Sequence, residues 1–115
     1  MKGALITINE IDLNNTFEMT KFVLRIITIT KNLYLSETEL QALTHFVIDG
    51  YSQVTKEQLV ENKLFKAIKS VYNTISQLKK YGIIVKTNYG EKINDEYNIK
   101  LSDIEKLKLE IILTK

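Results

Sequence analysis

The sequence predicts an α+β fold that is mainly helical, with one β-hairpin and short strands at its ends. Three observations predict it. Two helix-start signals of the same kind follow each other closely, Leu35-Ser36-Glu37-Thr38-Glu39-Leu40 and Val54-Thr55-Lys56-Glu57-Gln58-Leu59. Each offers a hydroxyl residue as N-cap, a Glu or Gln three positions on, and an apolar residue on either side. Behind them, apolar residues at 65, 68, 71 or 72, 75 and 78 recur every three or four positions, which draws one stripe along a helix. Gly82 then stops that pattern, and the β-branched run Ile83-Ile84-Val85 begins a strand.

Taken in order, residues 4–13 partly alternate and carry little turn chemistry, so a short strand is expected around 4–11. Asn15 with Glu18 has the spacing of a capping box. The segment from Phe17 to about Lys31 has β-branched residues that favour a strand. Its length and the set Met19, Phe22 or Val23, Ile26 and Ile27 favour a helix, which is the expectation adopted. Its wide apolar arc implies deep burial or a partner surface. The next helix is capped by Ser36, has Glu39 at N3 and a Leu35–Leu40 staple, buries Leu40, Leu43, Phe46 and Val47, and ends at Gly50. A third, brief helix is expected to start at Thr55, with Gln58 at N3 and Val54 stapled to Leu59; a turn between Asn62 and Lys69 follows. After the long helix comes a strand over 83–88, a hairpin turn at Tyr89-Gly90, and a second strand within 92–101. In the tail, Leu107 to Leu113 alternates over its first half and reads as a strand pairing with 4–11; a helix capped by Ser102 with Glu105 at N3 is the rival.

At 115 residues, 44% hydrophobic and 26% charged, the chain has the size and composition of one globular domain, residues 1–115. Its core is expected over about 36–100, with extensions at 1–34 and 101–115. No apolar run reaches the ~20 residues of a membrane span, and the first residues lack a signal-peptide core, so a cytoplasmic location is expected and no membrane partner. There is no Cys and therefore no disulfide or thiolate metal site. Absence of Pro and Trp beside abundant Lys, Ile and Asn accords with an A+T-rich bacterial or viral coding sequence. Charge is unevenly spread. Residues 62–90 hold six Lys and no acid, a local +6, whereas 1–61 carry −3 and 91–115 carry −1, against a net +2. A polyanion responds to that local concentration more than to the total.

Helix, helix, short helix, turn, long basic helix, glycine and hairpin is an order that resembles a winged helix-turn-helix domain. Leu78-Lys79-Lys80-Tyr81-Gly82-Ile83-Ile84 carries the resemblance, matching the Leu-x-x-x-Gly-[Leu/Ile]-Ile junction between recognition helix and wing, with Val71 and Ile75 where such helices bury their inner face. The resemblance covers about 36–100 and points to no particular family. It implies that the long helix enters a DNA major groove, where base edges differ in donors and acceptors. Asn and Gln can pair bidentately with adenine, and Lys reaches guanine acceptors or phosphates. Lys69, Ser70, Asn73 and Gln77 are then the expected base-facing residues, with Thr74 at the margin. Lys63, Lys66, Lys79, Lys80 and Lys86, with Lys92 at the hairpin tip, are the expected phosphate contacts. Neutralising four or five phosphates gives a slope of log affinity on log salt of roughly −4 to −5.

Each feature has a plainer reading. Lysines on a helix face are commonly just solvated, Asn73 can bond nearby backbone, and Tyr72 and Tyr81 are expected at the edge of the core. His45, the one histidine, shares the polar side of its helix with Thr38, Gln41 and Asp49, where a solvated or capping role is expected. Asp95 and Glu96 read as solubilising charges in the hairpin. No Ser is set against a base, no Gly-rich loop cradles a phosphate and no His cluster could bind a metal, so no catalytic residue, metal or cofactor is expected. The expectation is a sequence-specific double-stranded DNA-binding protein, a small transcriptional regulator of a bacterium, plasmid or phage, acting as a homodimer. The alternative, kept open by the acidic flanks, is a protein–protein module of the same fold serving as an assembly component of a phage particle or replication complex.

Overall fold

The computed structural model describes residues 15–100; the strand expected near 4–11 and the element expected in 101–115 lie outside the described residues. Four helices, α1 (Thr16–Thr30), α2 (Glu37–Asp49), α3 (Gln53–Glu61) and α4 (Ile68–Lys80), precede β1 (Ile84–Thr87) and β2 (Gly90–Ile93), and a 3-10 turn (Asp95–Tyr97) follows. The class is α+β. α1 packs on α2, α3 on α4, and α2 touches both α3 and α4, while α4 abuts β1. One apolar cluster joins Leu24 of α1, Leu40, Leu43 and Phe46 of α2, Leu59 of α3, and Val71, Ile75 and Leu78 of α4 with Ile84 and Ile93 of the hairpin.

α2 forms as its sequence dictates. The Ser36 hydroxyl accepts from the Glu39 amide at 3.1 Å, and the Glu39 carboxylate accepts from the Ser36 amide at 2.9 Å. Leu35 and Leu40 are both buried. Gly50, with φ 96°, ends the helix in a conformation that disfavours side chains.

α1 is a helix, and Asn15 caps it by accepting from the Glu18 amide at 3.2 Å. Its buried face differs from the expected one. Met19, Thr20, Leu24 and Thr28 are buried, Phe22, Val23 and Ile27 are half-buried, and Ile26 is 47% exposed. The Thr28 hydroxyl explains part of this, because it donates to the Arg25 carbonyl at 3.0 Å and so enters the interior with its polarity satisfied. A pattern that scores only aliphatic residues misses such a threonine. Asn32 at φ 61° turns the chain out of the helix, with Leu33 N–H on Thr28 C=O and Asn32 N–H on Ile29 C=O.

α3 corrects the second start signal. Ser52, not Thr55, is the N-cap, and its hydroxyl accepts from the Thr55 amide at 3.2 Å. Thr55 takes the N3 position, buried, with its hydroxyl 3.1 Å from that of Ser52. Val54 is therefore no staple; it stands 63% exposed. The contact before and after the cap is instead Tyr51 with Lys56, whose ammonium lies 4.7 Å from the ring centroid. Two hydroxyl residues three apart could each have capped; the earlier start gains three residues of helix and buries Thr55.

Residues 62–67 make the turn, and Phe65 reaches the core from there rather than from the helix. α4 thus buries Val71, Ile75 and Leu78 while Ile68 is exposed, so the stripe begins one turn later than its spacing suggested. Its end is a complete Schellman arrangement around Gly82 at φ 77°: Gly82 N–H bonds Lys79 C=O and Ile83 N–H bonds Leu78 C=O, each at 3.0 Å. The hairpin pairs Ile84 with Ile93, Val85 with Lys92, Lys86 with Glu91 and Thr87 with Gly90. Its tip is Asn88-Tyr89, and Gly90 at φ 114° already belongs to β2, so the second strand lies earlier than expected and Lys92 sits mid-hairpin. The Asn94 amide group donates to Gly82 C=O at 3.1 Å, and Tyr97 of the 3-10 turn is buried. No sequence signal announced that turn.

Candidate nucleic-acid interface

Successive helical residues point about 100° apart, so anchoring Val71, Ile75 and Leu78 in the core fixes where the rest of α4 looks. Lys69, Asn73, Ser76, Gln77 and Lys80 face away from the core and are exposed, whereas Ser70 and Thr74 are half-buried along one flank. From Lys69 to Lys80 the row is roughly 17 Å long at helical rise. No acidic residue interrupts it. Ser76 was absent from the sequence-based set although it stands one helical step from Asn73; a short hydroxyl residue drew no weight beside Lys, Asn and Gln.

The lysines divide by what already holds them. Lys63, Lys66, Lys80 and Lys86 are exposed and make no ion pair among the described residues. Lys79 is engaged by the Glu91 carboxylate, which also accepts from the Tyr51 hydroxyl at 2.9 Å. Lys92 bonds Asp95 at 3.1 Å. Lys79 and Lys92 therefore spend their charge within the fold. Lys79 first, and the Tyr51 hydroxyl after burial's opposing effect, holds the Glu91 carboxyl below its ordinary value of 4.5. Burial above all, then the bond to Glu91, pushes the Tyr51 phenol upward. This cluster ties the α2–α3 loop, α4 and β2 together and so orients the hairpin against the basic helix.

The edge aromatics behave differently from one another. Tyr81 packs against the core cluster, whereas Tyr72 is 44% exposed, donates to Gln53 at 3.1 Å and lies 5.4 Å from the Lys56 ammonium. Tyr89 at the hairpin tip is fully exposed, a candidate contact that sequence reading did not weigh. His45 is half-buried, 3.4 Å from Asp49, with its ring tilted at 48° to that of Phe17 and the centroids 4.7 Å apart. Asp95 and Glu96 are not free charges: they pair with Lys92 and, at 2.7 Å, with Lys31. Among the described residues no helix is long and apolar enough to cross a membrane.

Comparison of the chain with protein-family models, with curated proteins and with solved structures found no match.

Proposed function

We propose that the chain is a sequence-specific double-stranded DNA-binding protein of winged helix-turn-helix type, a small cytoplasmic regulator of transcription in a bacterium, plasmid or phage. It acts by occupancy, without cofactor or metal. In this reading α3 and α4 are the helix-turn-helix, α4 is the recognition helix and the β1–β2 hairpin is the wing. The observation that carries it is the outward row Lys69, Asn73, Ser76, Gln77 and Lys80, exposed along α4 without an acid among them. Asn73 and Gln77 can each read adenine bidentately, Lys69 can reach guanine or a phosphate, and Lys63, Lys66, Lys80 and Lys86 suit phosphates. Ser70 and Thr74, at the flank, serve as marginal contacts. Two copies are expected, because one module covers little of a duplex.

Electrophoretic mobility of random duplex DNA tests the reading. Wild type is expected to retard it at low salt, and Lys69→Glu with Asn73→Ala to retard it far less at unchanged fold by circular dichroism. Wild type that leaves the duplex untouched at low salt overturns the proposal. A second reading, an assembly module of a phage particle or replication complex, draws on α1. Phe22, Ile26 and Ile29 follow Met19 at alternating spacings of three and four, and Ile26 and Ile29 are 47% and 43% exposed. A large complex on size exclusion together with DNA-free behaviour favours it.

A further inference from the structure

Two of the larger exposed apolar side chains lie together beside the candidate DNA face: Ile68 at 37% and Tyr72 at 44% exposure. Ile68 and Tyr72 form one wall of an open groove of about 500 Å³ between α3 and α4, and Gln53, Glu57, Val60 and Glu61 form the other. The groove has an apolar floor and an acidic lip. Glu57 and Glu61 make no ion pair among the described residues; Glu57 accepts only from Gln53 at 3.3 Å. A duplex would be repelled there, since both carboxylates would meet phosphates. The surface is therefore not an extension of the nucleic-acid face.

What it complements is close by on the same chain. Lys66, exposed and without an ion pair among the described residues, stands two positions before Ile68 in the α3–α4 turn. A cation and an apolar side chain thus adjoin an acid-lipped apolar groove. Such a patch is self-complementary, which is what a two-fold interface requires: the same residues serve as donor on one copy and acceptor on the other. We infer that two copies of the chain dock through this groove, Ile68 of each seated against Val60 and Tyr72 of the other, and Lys66 of each between the other's Glu57 and Glu61. Lys69 is one residue beyond Ile68 and so points about 100° away, which leaves the outward row of α4 open in the dimer. The contact is small, so the dimer belongs to the weak, micromolar class.

The inference adds an interface to the DNA reading, takes from it the expectation of two copies, and moves Lys66 from the phosphate contacts to the partner copy. Sedimentation of the full chain without DNA tests it, so that its failure and that of the DNA reading are told apart. Wild type is expected to show a monomer–dimer equilibrium. Ile68→Asp should raise the dissociation constant at least about tenfold, because it puts a charge into the apolar centre. Lys66→Glu alone, and Glu57→Lys with Glu61→Lys, should each weaken the dimer several-fold, and mixing these two variants should restore association as a heterodimer. All four positions are surface positions, and thermal melting of each variant confirms that it folds. Wild type that stays monomeric at every concentration overturns the inference. So does a dimer indifferent to all of these substitutions, which would place the contact elsewhere, on the Ile26–Ile29 face of α1 in particular. Association of the wild type only with some other protein overturns it as well.

Discussion

Glu91→Gln separates the lysines that the fold has engaged from those that the proposed DNA face would use. In the native chain Glu91 neutralises Lys79, and Lys92 is taken by Asp95. With Lys66 assigned to the inferred dimer contact, Lys63, Lys69, Lys80 and Lys86 remain for the proposed DNA face. Four neutralised phosphates give a slope of log affinity on log salt of about −3.6, shallower than the roughly −5.4 that all six lysines expected at phosphates would give. Replacing the carboxylate with an amide releases Lys79 next to the α4 face. The slope should steepen by about 0.9 per chain, and affinity at ~0.1 M salt should rise about eightfold, since one further counterion is displaced. Stability moves the other way but little. The Lys79 and Glu91 side chains are 45% and 32% exposed, so solvent screens the pair and its loss costs about 1 kcal/mol or less.

Fluorescence anisotropy of a labelled duplex, over a salt series from about 50 to 200 mM, reads both slope and affinity. A gain in affinity together with a steeper slope on removing Glu91 is the signature sought. Were the Glu91→Gln slope to equal that of the wild type while Lys80→Gln flattened it, Lys79 would lie off the phosphate path and the account of the hairpin side would be wrong. Were neither variant to change the slope, the α4 face itself would be misassigned.

Other expectations follow from particular residues. Ala67, in extended conformation at φ −153°, caps α4 without any side-chain hydrogen bond, so Ala67→Ser should stabilise the fold by about 1 kcal/mol, read as a shift in the urea midpoint. Lys63 ends α3 at φ 64°, where a Cβ is unfavourable, so Lys63→Gly should stabilise by up to about 1 kcal/mol while weakening DNA binding, a split that melting and anisotropy measure separately. The carboxyls of Glu37, held by Lys21 and Gln41, and of Glu91, held by Lys79, both lie below the ordinary 4.5. A depressed folded value means that their stabilisation is present above 4.5 and is lost as pH falls through the folded values. The urea midpoint should therefore fall on acidification below that point, and less steeply in Glu37→Gln.

Much of the fold was legible because its signals are local. The Ser36–Glu39 capping box and the helix end at Gly82 with the strand after it need only neighbouring residues, and both stand as read. The misreadings share a cause: a competition that local pattern does not decide. Ser52 and Thr55 could each cap α3, and only tertiary packing, which buries Thr55 and exposes Val54, settles the choice. On α1 the aliphatic set Met19, Phe22 and Ile26 competes with a mixed stripe of Thr20, Leu24 and Thr28. α2 packs against α1 with Thr20 and Thr28 inside, so Ile26 faces out. For the candidate site, the sequence identified the helix and most of its outward residues. It missed that Glu91 of β2 reaches Lys79 of α4, because that engagement joins positions on different elements.

That engagement bears on why the positive charge is gathered where it is. A helix carrying Lys69, Lys79 and Lys80 within its thirteen residues, with Lys63 and Lys66 leading into it, repels itself. The fold relieves the repulsion on one side only. Glu91 approaches from the hairpin flank, while no acid of the described residues reaches the row from Lys69 to Lys80. Glu57 and Glu61 face the α3–α4 groove, at an angle to that row. Charge relief that stabilised the helix alone would work equally well on the outward face, where i+4 partners on Asn73 or Gln77 could supply carboxylates at no steric cost. Polar but uncharged side chains at both positions leave the lysine field unquenched in one direction. That is the arrangement a polyanion rewards, and it is the physical reason to look for DNA at this face before any other.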